Sequence, residues 1–252
     1  MKLKKLHSRL LHGEKGLNGW CSIPSTVTAE IMSGYDFDSL TIDLQHGLID
    51  YQTALLMMQS IVASGITPIA RVPWNEPGII MKLLDAGAMG IICPMINSAT
   101  DAKKFVEATK YSPIGYRSTG PTRAVLIHGK EYHQEANETI ISLAMVETVE
   151  ALNNVDEIAA TEGLSGIYIG PSDLSVSMGF EPGLDREEPK IEQEFIRILS
   201  ACEKNNIIAA IHCLSSKYIK NRYEIGFNLV TISTDIRLFG QILGERMDEI
   251  RK

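Results

Sequence analysis

Gly166-Ile-Tyr-Ile-Gly170-Pro-Ser-Asp173-Leu-Ser175 is an apolar run, rich in branched residues, that stops at Gly-Pro and delivers a carboxylate at once. A buried parallel strand ending at the rim of a sheet reads this way. Ser142-Leu-Ala-Met-Val-Glu147-Thr repeats the arrangement upstream. One such acid could simply favour the first turn of the helix that follows. Two of them, each just past a buried strand, point to a hard divalent metal held at the mouth of a barrel.

Working outward, the same kind of run recurs at Gly19–Ile23, Ser39–Asp43, Thr67–Val72, Gly90–Met95, Ile207–His212 and Asn228–Ser233, eight in all with the two above. Amphipathic stretches lie between them: Tyr51–Ala63, Ile79–Ala86, Ala99–Lys110, Val149–Ala160, Ile191–Asn205 and Lys217–Ile225. Alternating strand and helix implies a parallel sheet. Eight repeats in 252 residues imply a closed (β/α)8 TIM barrel. An open doubly wound sheet would want a Gly-rich turn after the first strand, and Ile23-Pro-Ser-Thr supplies none. Without a linker or a low-complexity segment, residues 1–252 read as one barrel domain. Ser112–Gly129 and Met178–Pro189 are longer than a connection requires and read as functional rim loops.

Composition narrows the function. The chain carries 24 basic against 31 acidic residues, a net charge of −7, and no basic stripe interleaved with aromatics, so a nucleic-acid surface is not expected. Lys2–Lys5 reads as the solvated face of an N-terminal helix. No apolar run approaches the roughly 20 residues that span a bilayer, and the N-terminus lacks the apolar core of a signal peptide. Cys21, Cys93, Cys202 and Cys213 show no CxxC spacing. A reducing cytoplasm is the simplest setting.

Barrel chemistry sits at the C-terminal ends of strands, where His46, Arg71, Glu147 and Asp173 all fall. No strand run contains a lysine, so an imine-forming aldolase is not expected. Lys82, Lys103, Lys104 and Lys110 fall on helices and read as solvated, as do His128 and His133. His7 and His12 read as surface residues. His212 is ambiguous between a packed residue and a wall of the site. Asp235 reads as the N-cap region of the last helix.

Arg71-Val-Pro-Trp-Asn, Leu84-Asp85-Ala-Gly-Ala, Cys93-Pro-Met-Ile-Asn97, Gly115-Tyr-Arg117-Ser and Gly170-Pro-Ser-Asp173-Leu-Ser occur in that order. Together they resemble the metal-dependent (class II) hydroxy-acid aldolases, the family of 2,4-dihydroxyhept-2-ene-1,7-dioate aldolase and 2-dehydro-3-deoxyglucarate aldolase, which is citrate lyase-like. The resemblance implies reversible cleavage of a 4-hydroxy-2-oxo acid to pyruvate and an aldehyde. Glu147 and Asp173 would ligate Mg2+, Mn2+ or Co2+. His46 would move the proton with Asp85 paired to it, and Arg71 would stabilise the developing negative charge. Arg71, Ser172, Asp173 and Leu214 would contact substrate. Two positions depart from the family: Gln45 stands where Glu is usual before the histidine, and Met145 where Gln is usual two residues before the metal Glu.

The same metal site could serve 2-oxo acid decarboxylation or another carbon–carbon lyase reaction, or a non-catalytic carboxylate-binding barrel. Ile236, Phe239, Ile242, Leu243 and Met247 form one apolar stripe on a terminal helix. That stripe would either pack on its own barrel or be exchanged between subunits. The resemblance implies exchange, in a homo-oligomer that is a hexamer built as a trimer of dimers; Arg117 and Arg123, on the long loop, are expected near a shared rim.

Overall fold

Eight parallel strands close on one another in chain order in the computed structural model, which describes residues 6–251. They are β1 (Gly16–Cys21), β2 (Ser39–Asp43), β3 (Thr67–Arg71), β4 (Gly90–Cys93), β5 (Ile141–Val146), β6 (Gly166–Ile169), β7 (Ile208–Cys213) and β8 (Leu229–Ile232). β8 pairs back onto β1, from Gly16 opposite Leu229 to Asn18 opposite Thr231. This is the expected (β/α)8 barrel. The lysine cluster at 2–5 lies outside the described residues. Among those described, no helix is long and apolar enough to cross a membrane.

The strands are buried on both faces, which is why they read as continuous apolar runs. Along β5, Leu143 and Met145 join the barrel interior with Ile69, Ile92 and Tyr168. Ala144 and Val146 join the outer layer, between sheet and helices. That is the two-residue period of a strand. At the lower end the helix Leu6–Leu11 inserts Leu6 and Leu10 under the strands. A Cβ on Gly16 would lie 3.0 Å from Leu10 and 3.2 Å from Leu229, so glycine lets this plug approach.

Boundaries move where composition misleads. β1 begins at Gly16 rather than Gly19, because pairing with β8 recruits the weakly apolar Gly16-Leu-Asn18. The stretch expected as one helix over Val149–Ala160 is two short ones, Val149–Asn153 and Val155–Ala159, that meet at Asn154. Within the long connection expected at Ser112–Gly129, Thr122–His128 is helical, and a second helix follows at Tyr132–Thr139. The dense Gly and Pro before residue 122 masks them.

Two residues expected to be solvated are not. Lys110 is 2% exposed, and its ammonium donates to the Asn137 and Ile140 carbonyls at the end of the Tyr132–Thr139 helix. Burial lowers its pKa to about 8. It lies behind the barrel wall, so the absence of lysine from all eight strands stands. His128 is also buried, stacked on Tyr132 with ring centroids 5.5 Å apart. His133 stacks likewise on Tyr111, at 4.3 Å.

The chain ends in the helix Asp235–Arg251. Thr234 Oγ1 accepts from the Arg237 N–H and caps it, while Asp235 turns back to accept the Ser22 and Ile23 N–H groups at 2.8 and 3.1 Å. Asp235 therefore ties the last helix to the exit of the first strand, beyond the capping role expected of it. Of this helix only Asp235 is buried. Its apolar stripe does not pack on its own barrel; Phe239 is 60% exposed.

Candidate active site

Strand register does the first part of the assembly. Asp43 and Arg71 end adjacent strands and lie directly opposite each other. Arg71 Nε donates to Asp43 Oδ1 at 2.8 Å and Nη2 to Oδ2 at 2.6 Å, a two-toothed fork. Trp20 Nε1 donates to the same carboxylate at 3.2 Å, and the backbone N–H groups of Gln45 and His46 do so at 3.0 and 3.2 Å. Burial alone would raise the Asp43 pKa, but the Arg71 guanidinium and these donors outweigh it and hold the carboxyl below its ordinary value. The guanidinium also stacks on Trp20, 4.9 Å from the ring centroid. Two of its five N–H groups are committed to Asp43, so three remain for a ligand.

Across the mouth, Val146 pairs with Ile169, which sets Glu147 beside Gly170 at the strand ends. A Cβ on Gly170 would come within 2.5 Å of Glu147 Oε2, so glycine is what leaves room for that carboxylate. Glu147 is 2% exposed, and its Oε1 accepts the Met95 N–H at 2.8 Å. Burial, together with the nearby Asp173 charge, raises its pKa to about 7 against the pull of that N–H. Asp173 is exposed, in the first turn of the helix Pro171–Ser177.

These groups share one cleft of about 410 Å3, lined by Asp43, His46, Arg71, Glu147, Ser172 and Asp173. Five of the seven residues expected from the sequence are thus brought together; Asp43 is an addition. Among the described residues no cluster of three or more His, Cys, Asp or Glu side chains could hold a metal. A cation here would have two protein carboxylates, the rest of its shell coming from water and substrate. That suits a hard cation such as Mg2+, and a buried carboxylate beside a second one is what such a cation would neutralise.

Two expected residues are placed elsewhere. Asp85 ends the helix Pro77–Asp85, and its carboxylate receives Arg117 Nη2 at 2.7 Å. Arg117 is itself enclosed between Tyr111 and Tyr132. Among the described residues no hydrogen bond joins Asp85 to His46, so a single chain does not make that pair. Leu214 is outside the cleft lining and 41% exposed. Asp185 accepts the Leu214 and Ser215 N–H groups at 2.7 and 2.8 Å, and the adjacent Leu184 lines the cleft instead. Arg123 donates to the Ala86 carbonyl rather than lying free on a loop.

Sequence reading missed Trp20, gave Asp43 no role and left His212 open; all three line the cleft. Asp43 had a findable signal: a carboxylate at a strand end, one strand from an arginine at the same level. Met145, the departure noted above, is a buried part of the same wall.

The chain is similar to known proteins over most of its length. Residues 20–231 match the HpcH/HpaI aldolase/citrate lyase family. The chain is 37% identical over 236 residues to a hydroxypyruvate/pyruvate aldolase of Rhizorhabdus wittichii, covering 94% of each. It is 33% identical over 234 residues to a 4-hydroxy-2-oxo-heptane-1,7-dioate aldolase of Shigella flexneri, covering 91% of this chain and 86% of that one. The crystal structure of a family protein from Burkholderia cenocepacia superposes with a TM-score of 0.91 at 28% identity, over 99% of this chain and 100% of that one.

Proposed function

The chain belongs to the HpcH/HpaI aldolase/citrate lyase family, whose members here are carbon–carbon lyases, and from that premise we propose that it is a divalent-metal-dependent aldolase reversibly cleaving a 4-hydroxy-2-oxo acid to pyruvate and an aldehyde. The observation that carries this reading is the convergence of Glu147, Asp173 and Arg71 on one cleft, with no lysine in any of the eight strands among the described residues.

Glu147 and Asp173 would hold the cation, which when bound supplies Lewis-acid stabilisation of negative charge on a 2-oxo acid. The chain's own residues do the rest. Cleavage removes the proton of the C4 hydroxyl, breaks the C3–C4 bond and leaves the electron pair as an enolate of pyruvate. His46, exposed at the cleft, takes the hydroxyl proton and returns one to C3. The free N–H groups of Arg71 face the charge that develops on the enolate oxygen. Asp43 and Trp20 fix that guanidinium beforehand, so no reorganisation is needed as charge builds. We further propose that substrates are small molecules and that the protein works as a homo-oligomer, which would cover the apolar stripe of the terminal helix.

Incubating the enzyme with pyruvate and a panel of aldehydes, with Mn2+ or Mg2+, tests the reading. Aldol products should form, EDTA should abolish them, and borohydride with pyruvate should trap no adduct. A trapped imine overturns the mechanism, and no product from any aldehyde overturns the function.

A further inference from the structure

The floor of the cleft is built from strand ends, and its rim from the loops beyond them. One rim loop follows the helix Pro171–Ser177. At its start the Phe180 N–H donates to the Ser175 carbonyl at 2.8 Å, which ties the loop to that helix. From Glu181 to Leu184 no backbone–backbone hydrogen bond is made among the described residues. Leu184 nevertheless lines the cleft and is half-buried. The residue that places it there is its neighbour.

Asp185 stands at φ 48°, in the left-handed region that a residue other than glycine keeps only when its surroundings hold it there. Its two carboxylate oxygens accept the Leu214 and Ser215 N–H groups at 2.7 and 2.8 Å, one each. Ser215 is the N-cap of the helix Ser216–Ile225, so a full negative charge meets the positive end of a ten-residue helix. Tyr218, in the first turn of that helix, donates its OH to the Arg186 carbonyl at 2.7 Å and adds a second stitch. The loop after β6 is thereby buckled onto the helix after β7. Leu184 is the residue just inside the buckle.

Asp43, Arg71 and Glu147 make the floor polar, which suits the oxo and carboxylate oxygens of a 2-oxo acid. Leu48 after β2, Leu184 after β6 and Ile236 after β8 bring aliphatic side chains to the rim from three different loops. An aldehyde reacting with a 2-oxo acid on that floor directs its carbon chain toward this rim. We propose that Asp185 is a positioning residue, which by holding Leu184 on the rim gives the enzyme its hold on the carbon chain of the aldehyde. This rests on the aldolase reading above. Asp185 touches no reacting atom. Its effect passes through Leu184, reaching the aldehyde half of the reaction and leaving the 2-oxo acid half alone.

The test is kcat/KM for acetaldehyde and for pentanal, each with pyruvate and Mn2+, in the wild type and in Asp185→Gly, Asp185→Asn and Leu184→Ala. Glycine keeps the left-handed backbone and removes the carboxylate. The pentanal-to-acetaldehyde ratio should fall about fourfold in Asp185→Gly, the scale of one buried methylene. Leu184→Ala should lower it as much, and the double variant no further, because the two residues act as one unit. Asn tolerates the same backbone and keeps one acceptor oxygen, so the fall in Asp185→Asn should be smaller. The pyruvate KM and the Mn2+ affinity should stay at wild-type values throughout, which a general loosening of the barrel would not allow. An unchanged or rising ratio in Asp185→Gly, equal losses with both aldehydes, a shifted pyruvate KM, or additive losses in the double variant each overturn the proposal alone. If Asp185→Gly does not fold, Asp185→Asn carries the same test. No wild-type turnover with either aldehyde overturns the aldolase reading, and this proposal with it.

Discussion

Asp43 and Arg71 face each other across one rung of the β2–β3 ladder, and their side chains close a two-toothed ion pair at the floor of the cleft. Both are nearly buried, so neither partner is dispensable: removing one leaves an unpaired charge out of water. Asp43→Asn should cost about 3 kcal/mol of stability, a Tm fall of roughly 6–12 °C for a chain of this size. Arg71→Lys, which cannot form the fork, should lower turnover and raise KM together. Thermal denaturation and steady-state kinetics read the two effects, and a Tm unchanged in Asp43→Asn would falsify the structural half.

Glu147 gives a pH dependence of definite sign. Its pKa in the metal-free fold is raised from 4.5 to about 7. The folded state therefore holds this proton more tightly than the unfolded chain. The stability it lends is complete below about pH 4.5 and is lost as pH rises to about 7. A shift of this size corresponds to about 3 kcal/mol. In EDTA, Glu147→Gln should be more stable than wild type at pH 8 and equal to it at pH 4. Parallel Tm–pH curves for the two proteins would refute the burial argument.

Gly170→Ala isolates the sterics of the carboxylate pair. The Gly170 backbone, at φ −95°, accepts alanine without strain, yet the new Cβ would invade the space of Glu147 Oε2. Mn2+ affinity measured by calorimetry should fall at least tenfold while the fold persists. Wild-type affinity would remove Glu147 from the ligand set.

His46→Ala should lower turnover by roughly 10²- to 10⁴-fold, the usual worth of a positioned acid–base group. Mn2+ binding should be unchanged, since His46 is not assigned to the cation. If turnover and its pH profile match wild type, the histidine is a bystander.

The barrel was legible because each strand announces itself by an apolar run with an abrupt stop, and eight such stops leave little other choice. The placement of Glu147, Asp173 and Arg71 around one cleft was legible for the same reason, since each lies at or just past a strand end. Asp43 was not, because its importance lies in cross-strand register, which no single segment encodes. Lys110 was misread because a lysine at the end of an amphipathic helix looks solvated until the helix Tyr132–Thr139 folds over it and offers its carbonyls. Asp85 illustrates a different limit: a carboxylate assigned to a histidine by resemblance lies in this chain beside an enclosed arginine.

The terminal helix predicts assembly. Its exposed Phe239, Ile242, Leu243 and Met247 make a patch that isolated chains rarely leave to water. Light scattering at micromolar concentration should give a multiple of 27.8 kDa, and Phe239→Glu should shift the population toward smaller species. A monomeric wild type would rule this out.

That helix is also a lever. Its first turn supplies Ile236 and Arg237 to the cleft wall, while Ile250, 77% exposed, lies at the far end. Seventeen residues in one rod span about 25 Å. Whatever grips the outer turns therefore steadies the wall of the cleft, and Asp235 transmits the grip to the exit of the first strand. Association, where the stripe is covered, would be joined to the cleft through this rod. Specific activity should consequently decline on dilution, in step with the loss of the neighbour, before any unfolding is detectable.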